Sequence, residues 1–319
     1  MTRSSIIRGP ALITYRGATF WSQGDIDLNF NIETFSVETS ALGKVDERDK
    51  DVLPQISFTP VGEWESLEVL YPYFSNQDGA ILTIGAEIFT AADGTAGDSP
   101  LVIHTLAGTT YTFHAAAVTK MPDITLASTK TLLGQVQFTC VRKDNTAWSA
   151  DNSLVTINAA AGAPASDTEF DPSAIITQPY TCAWQSPLDS FSTSTGVVVA
   201  FDTRFDPTEV DGTGTQGMTL ADVGVMARCI PVGVTEANMI SALGIQGSGA
   251  TRGRSRNATS HDFTIAPVSG SSPTVVVKNA ALKQAGFKFG NTTLRGGEFG
   301  FLATRSFPSG VNGPLFTLA

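Results

Sequence analysis

The sequence predicts a mainly β protein made of two tandem copies of one β-rich unit, each with one short helical stretch. Three observations predict this. Thr-rich and apolar stretches are bounded along the chain by Gly, Asp, Asn and Pro, the punctuation of an all-β fold. Residues 25–33 alternate strictly between polar and apolar side chains, the period of a half-buried strand. The order of elements in residues 1–157 recurs in residues 179–319, with residues 158–178 (small, polar, Pro- and Gly-containing at their start) as a linker. Pro60-Val61-Gly62 is echoed by Pro231-Val232-Gly233. The stretch from Ala117-Val118-Thr119-Lys120 to Phe138 lines up with that from Ala280-Ala281-Leu282-Lys283 to Phe301. The second match has the shorter separation, so the copies differ by a deletion between the two blocks.

The first strand is expected over residues 10–16. In the next, Ile26, Leu28, Phe30 and Ile32 form one face and Asp25, Asp27, Asn29, Asn31 and Glu33 the other, so its wet face is acidic and polar. Residues 38–53 carry Lys44, Asp46, Glu47, Arg48, Asp49, Lys50 and Asp51; a stretch this charged cannot bury itself and reads as a long loop or an extended hairpin tip. Leu53–Thr59 is the return strand. From Gly62 to Phe74 the period becomes helical: Trp64, Leu67, Leu70, Tyr71 and Phe74 share a face, Glu63, Glu65 and Glu68 fall away from it, and Pro72 limits its end. Strands follow at 81–89, 100–103, 111–118 and 133–142, with 120–130 as a connection.

In the second copy, residues 196–202 stand for the alternating strand, 206–219 for the long loop and 223–230 for the return. Residues 235–243 stand for the helix, and 263–267, 274–281 and 298–305 for the closing strands. Residues 246–260, with Arg252, Arg254 and Arg256, form a basic loop without counterpart in the first copy.

Composition narrows the function classes. At 319 residues the chain can bury two ordinary cores. A net charge of −10 argues against a general nucleic-acid binder. The acidity is uneven: residues 1–157 hold 10 basic and 18 acidic side chains, residues 158–319 hold 10 and 12. Cys140, Cys182 and Cys229 are odd in number and far apart, which fits buried free thiols in a reducing compartment better than a disulfide framework or a zinc site. The start MTRSSIIRGP lacks an apolar core, so no signal peptide is expected, and no run is long enough for a membrane span.

No reactive constellation emerges. His104, His114 and His261 lie in unrelated contexts, and the carboxylate pairs sit on strand faces and loops without an apolar pocket to shift their titration. Phosphate loops, nucleophile elbows and dinucleotide fingerprints are missing, and Asp93-Gly94 and Asp211-Gly212 lack the spaced oxygen ligands of a calcium loop. The expectation is a non-enzyme with no cofactor and no metal. A solvated loop accounts for the three arginines of 252–256 better than a phosphate grip.

The run GPALITYRGATFWSQGDIDLNF, the charged stretch 38–53, the passage ISFTPVGEWESL and the closing strand LLGQVQFTCV, in this order and duplicated, resemble the tail tube proteins of long-tailed bacteriophages. The resemblance covers the first copy almost entirely and the second more weakly, whose loop 206–219 is Gly-rich rather than charged. It implies a tail-tube-like β-sandwich or partial barrel with one helix, in subunits that join strand edges into rings and stack those rings through the long loop. A fused pair implies trimeric, pseudo-hexameric rings forming a virion tail tube, assembled in the bacterial host cytoplasm, that conducts DNA during ejection. The partners it implies are further copies of the chain and other tail proteins (tape measure, terminator, distal tail), with transient, non-adhesive passage of DNA and no membrane.

A bore that conducts DNA should not hold it, and an acidic or neutral wall offers no counterion release. On that reading Asp25, Asp27, Asn29, Asn31, Glu33, Gln135 and Gln137 face the lumen, joined by Asp202 and Glu298 of the second copy. The opposite faces, with Ile26, Leu28, Phe30, Val136 and Phe138, are expected to pack under the Trp64 helix, and residues 44–51 to reach the next ring. The rival readings are a distal tail, hub or terminator ring of the same lineage, and a β-rich surface adhesin, which would need exposed aromatic platforms.

Overall fold

The computed structural model describes residues 11–62, 64–74, 84–89, 100–128, 130–141, 154–162, 179–210, 214–244, 261–268, 274–286, 297–304 and 314–318. The first half contributes β1 (Ala11–Tyr15), β2 (Ala18–Thr39), β3 (Gly43–Val61), β4 (Leu101–Thr105), β5 (Thr110–Phe113), β6 (Ala115–Lys120), β7 (Ile124–Ala127), β8 (Lys130–Leu133), β9 (Val136–Val141) and β10 (Val155–Asn158). The second contributes β11 (Tyr180–Ala183), β12 (Ser192–Val210), β13 (Gly214–Val232), β14 (His261–Pro267), β15 (Val275–Ala285), β16 (Phe299–Leu302) and β17 (Phe316–Leu318). Helices are α1 (Trp64–Leu67), continued by a 3-10 turn over Glu68–Leu70, and α2 (Glu236–Leu243). The fold is mainly β, as expected: one sheet runs β10-β5-β4-β1-β2-β3-β9-β6, the other β11-β14-β15-β16-β13-β12-β7-β8, with β17 on β15.

Each half is organised by one long antiparallel hairpin. β1 and β2 join through Arg16-Gly17, both at positive φ (48° and 79°), the conformation of a two-residue turn that matches strand twist. The β2–β3 tip closes at Gly43, also left-handed, with Thr39 Oγ1 accepting from Leu42 N (3.2 Å). Residues 38–53 are therefore an extended hairpin rather than a loop. Of residues 206–219, expected as a loop, 206–210 and 214–219 are likewise strand: paired backbones satisfy each other while the polar side chains stay in water.

The two hairpins share one register. Asp27 opposes Ser57 and Leu28 opposes Ile56; at the separation that takes Pro60 to Pro231, Val198 opposes Arg228 and Val199 opposes Ala227. All but one pair of each hairpin superpose in this way, up to the tips at Thr39–Gly43 and Val210–Gly214. The bulges at Glu33/Thr34 and Val37/Glu38 recur at Arg204/Phe205 and Thr208/Glu209. The closing strands repeat too: Ile56↔Phe138↔Val118 corresponds to Ala227↔Phe301↔Leu282, and the bulge at Val118/Lys120 to that at Leu282/Gln284. These registers match Val118 to Leu282, whereas the sequence alignment sets Val118 on Ala281; the match of Phe138 to Phe301 holds in both.

Other expectations are corrected. The helical stretch 62–74 is a single α-turn and a 3-10 turn. Its tighter winding carries Glu68 inward to 6 % exposure, not away from the core with Leu67, Leu70, Tyr71 and Phe74. Of the strand expected at 81–89, residues 84–89 form a turn with one bridge, Glu87 to Thr219, and 81–83 lie outside the described residues. The 111–118 strand breaks at His114 into β5 and β6. The connection 120–130 contains β7 and the start of β8, which leave the first half and extend the second half's sheet beside β12. The basic loop 246–260, the turn 92–99, Asp211-Gly212, residues 163–178 and the Trp64 side chain lie outside the described residues.

α2 is the more regular helix: Thr235 Oγ1 accepts from Asn238 N (3.2 Å) at its start, and Gly244 ends it at φ 60°. The core is continuous across both halves. Phe138 stacks on Phe58 (5.9 Å) with Tyr15 edge-on (4.9 Å); Phe301 stacks on Phe263 (4.2 Å). Between the halves, Phe201 sits against Tyr71 (4.7 Å), Phe74 (5.1 Å) and Phe316 (5.1 Å). Tyr71 and Phe74 thus pack on the second half's hairpin. Phe30, expected beneath them, is 41 % exposed and Ile32 55 %, because alternation defines an apolar face without supplying anything to cover it.

All three cysteines are free and buried. Burial pushes the Cys229 thiol up to about 12, and raises Cys140 and Cys182 as well. With the folded pKa raised, the stability from these neutral thiols is complete below the ordinary value of 9.0 and is lost as pH climbs through the folded one. A thiol reagent at pH 8 is expected to label the native chain negligibly and three sites per chain after urea, read by mass spectrometry.

Candidate functional site

The candidate site is a surface. β2 presents Asp25, Asp27, Asn29 and Glu33 exposed, with Asn31 half-buried. Asn29 Nδ2 donates to Asn31 Oδ1 (3.1 Å), and Lys50 Nζ meets Glu33 Oε2 at 3.2 Å. Pairing carries this face across the sheet: Asp27, Ser57, Gln137 and Lys120 stand in one cross-strand row over β2, β3, β9 and β6. Gln137 is half-buried and Gln135 exposed just ahead of β9. Beneath that row, Leu28, Ile56, Phe138 and Val118 form the apolar row of the same strands.

The second half repeats the geometry with other chemistry. The counterpart of the Asp27 row is Val198, Arg228, Gly300 and Gln284. Asp202 is exposed at the position of Asn31, and Glu298 is exposed just before β16, as Gln135 is before β9. The carboxylate-rich face belongs to the first half.

The charged hairpin residues divide into two groups. Lys44 bonds Glu47 (2.8 Å), Thr34 Oγ1 donates to Glu47 Oε1 (2.5 Å) and Arg48 meets Asp46 (3.1 Å), all in solvent with Asp49. The hydrogen bond from Lys44, then that from Thr34, holds Glu47 below the usual carboxylate range, and the bond to Glu33 raises Lys50. Exposed pairs like these add little stability. Asp51 differs. Its Oδ1 accepts from Val52 N (2.8 Å), while Oδ2 accepts from Thr215 N (3.1 Å) and Thr215 Oγ1 (2.5 Å), across from the tip of the second hairpin.

A comparison with protein-family models gives no match, and neither does one with curated proteins. Among the described residues no cluster of His, Cys, Asp and Glu could hold a metal ion, and no helix is long and apolar enough to cross a membrane. His104 Nε2 is bonded with Gly162 O (2.7 Å) and His114 Nε2 with Thr156 Oγ1 (2.7 Å), contacts that fasten the end of the first half. Sequence reasoning missed the features that join the halves. β7 pairs Ile124–Leu126 with Val197–Val199 of β12; Glu87 Oε1 accepts from Met218 N (3.1 Å); Thr203 Oγ1 donates to Thr119 O (3.2 Å). The alternation of Ile124 and Leu126 with Thr125 was the one available signal for β7.

Proposed function

We propose that this chain is a structural subunit of a phage tail tube, self-assembling as trimeric, pseudo-hexameric rings that stack into a DNA-conducting cylinder, without catalysis or cofactor. The observation that carries the reading is that two halves of one strand order are already joined edge to edge, β7 on β12, as successive units of a ring wall would be. The exposed residues Asp46 to Asp49 beyond the tip suit contact with a next ring, while Asp51 is engaged within the chain. Negative-stain microscopy of purified protein under assembly conditions is the test. Long tubes are the expected result; discrete rings would move the chain to a distal tail, hub or terminator role, and compact monomers throughout would end the reading.

On this reading the face of Asp25, Asp27, Asn29, Asn31, Glu33, Gln135 and Gln137, with Asp202 and Glu298, lines the bore. Changing Asp25, Asp27 and Glu33 together to lysine is expected to leave folding within about 1 kcal/mol, since exposed substitutions cost little. The variant tubes should retain duplex DNA at low salt and release it as salt rises, whereas the parent tubes should not retain it. Equal retention by both in a sedimentation assay would remove the lumen assignment.

A further inference from the structure

Resting on the assembly reading above, in which the contact between halves recurs between chains, we propose that Asp222 of one copy pairs with Lys44 of the next across that contact. The first half of one copy would receive from the second half of another what the second half receives from its own first half. Three positions argue it through the shared register. β7 covers the edge of β12 at Val197–Val199, whose counterparts, Ile26–Leu28 of β2, have no strand on that edge among the described residues. An open edge of this kind is a template for strand addition.

Next, Phe201 is packed between Tyr71, Phe74 and Phe316, and Thr203 bonds Thr119 of the first half. Their counterparts Phe30 and Ile32 are 41 % and 55 % exposed. The same strand positions are therefore covered where the chain supplies a neighbour and bare where it does not.

Last, Asp222 is the counterpart of Asp51 and holds the same local bond, Oδ1 accepting from Val223 N (2.9 Å). Asp51 spends its second oxygen on Thr215; that of Asp222 has no partner among the described residues. The counterpart of Thr215 is Lys44, an exposed cation at the tip of β3 whose bond to Glu47 of its own chain lies in solvent and leaves the ammonium further donors. The repeated contact thus sets Asp222 of one copy against Lys44 of the next, with matched charge. Such a head-to-tail contact closes into a ring when its rotation allows.

Cross-linking tests this in the full chain. Lys44→Cys with Asp222→Cys, mildly oxidised, is expected to give species at multiples of the chain mass on a denaturing gel, the native cysteines being buried. As a second measurement, Lys44→Asp or Asp222→Lys alone should cut the sedimenting assembly at least about tenfold, and the two together should restore it. Monomer bands only, with single charge variants that assemble normally while micrographs show rings or tubes, would overturn this interface and leave the assembly reading standing. A cross-link confined to single chains would overturn it too. Monomers with no assembly of the parent protein would overturn both.

Discussion

Phe138→Ala is expected to destabilise the chain by about 3–5 kcal/mol, the range for deleting a buried aromatic ring. The ring is fully buried, stacked on Phe58 and met edge-on by Tyr15, in the strand that bridges β3 and β6. Its removal takes contacts from both neighbouring strands at once, and a sheet cannot close in on the void as a loop would. The matching change, Phe301→Ala, removes the stack on Phe263 and should fall in the same range. Urea midpoints at constant slope measure both. A loss below about 1.5 kcal/mol at Phe138 would mean that this row is not the centre of the first sheet.

The second large effect concerns the seam. Gly196 lies at φ 87°, and a Cβ there would overlap Leu126 O and come within 2.6 Å of the Ala127 side chain. Gly196→Ala therefore adds a left-handed backbone cost of about 1–2 kcal/mol to an overlap that only backbone movement can relieve, for a total of about 2–5 kcal/mol. Gly43→Ala is the control: φ is 70° but nothing lies within 4 Å of the added carbon, so only the conformational cost, about 1–2 kcal/mol, should appear. Hydrogen exchange separates the two. The amides of 124–126 should exchange faster in Gly196→Ala and normally in Gly43→Ala; equal protection in both would show that β7 does not depend on this glycine.

The long hairpin was legible because alternation at 25–33 is both long and strict, and the shared Pro-Val-Gly exits fixed the separation of the copies. The acidic face of β2 was legible for the same reason. Its coverage was not. Phe30 and Phe201 occupy one position in the shared register, yet one is bare and the other packed, and only the path of the chain beyond residue 120 decides between them. Strands as short as β7 and β8 carry too few side chains to display a period, and the partner of β7 lies in the other half of the chain. Asp51 is one of seven charges between 44 and 51; composition cannot tell which of them will meet a backbone N–H from another hairpin. The helix at 62–74 had the right spacing, but spacing does not register that the turn tightens before Pro72 and draws Glu68 inward.

Because β7 and β8 lie in the first half of the sequence yet extend the second half's sheet, the two halves are not excisable modules. A gene fragment starting at residue 158 would make a polypeptide short of its two outermost strands, with the Val197–Val199 flank bare and prone to aggregate. Supplying residues 121–135 as a separate peptide should rescue its solubility, a split-protein complementation built into the fold.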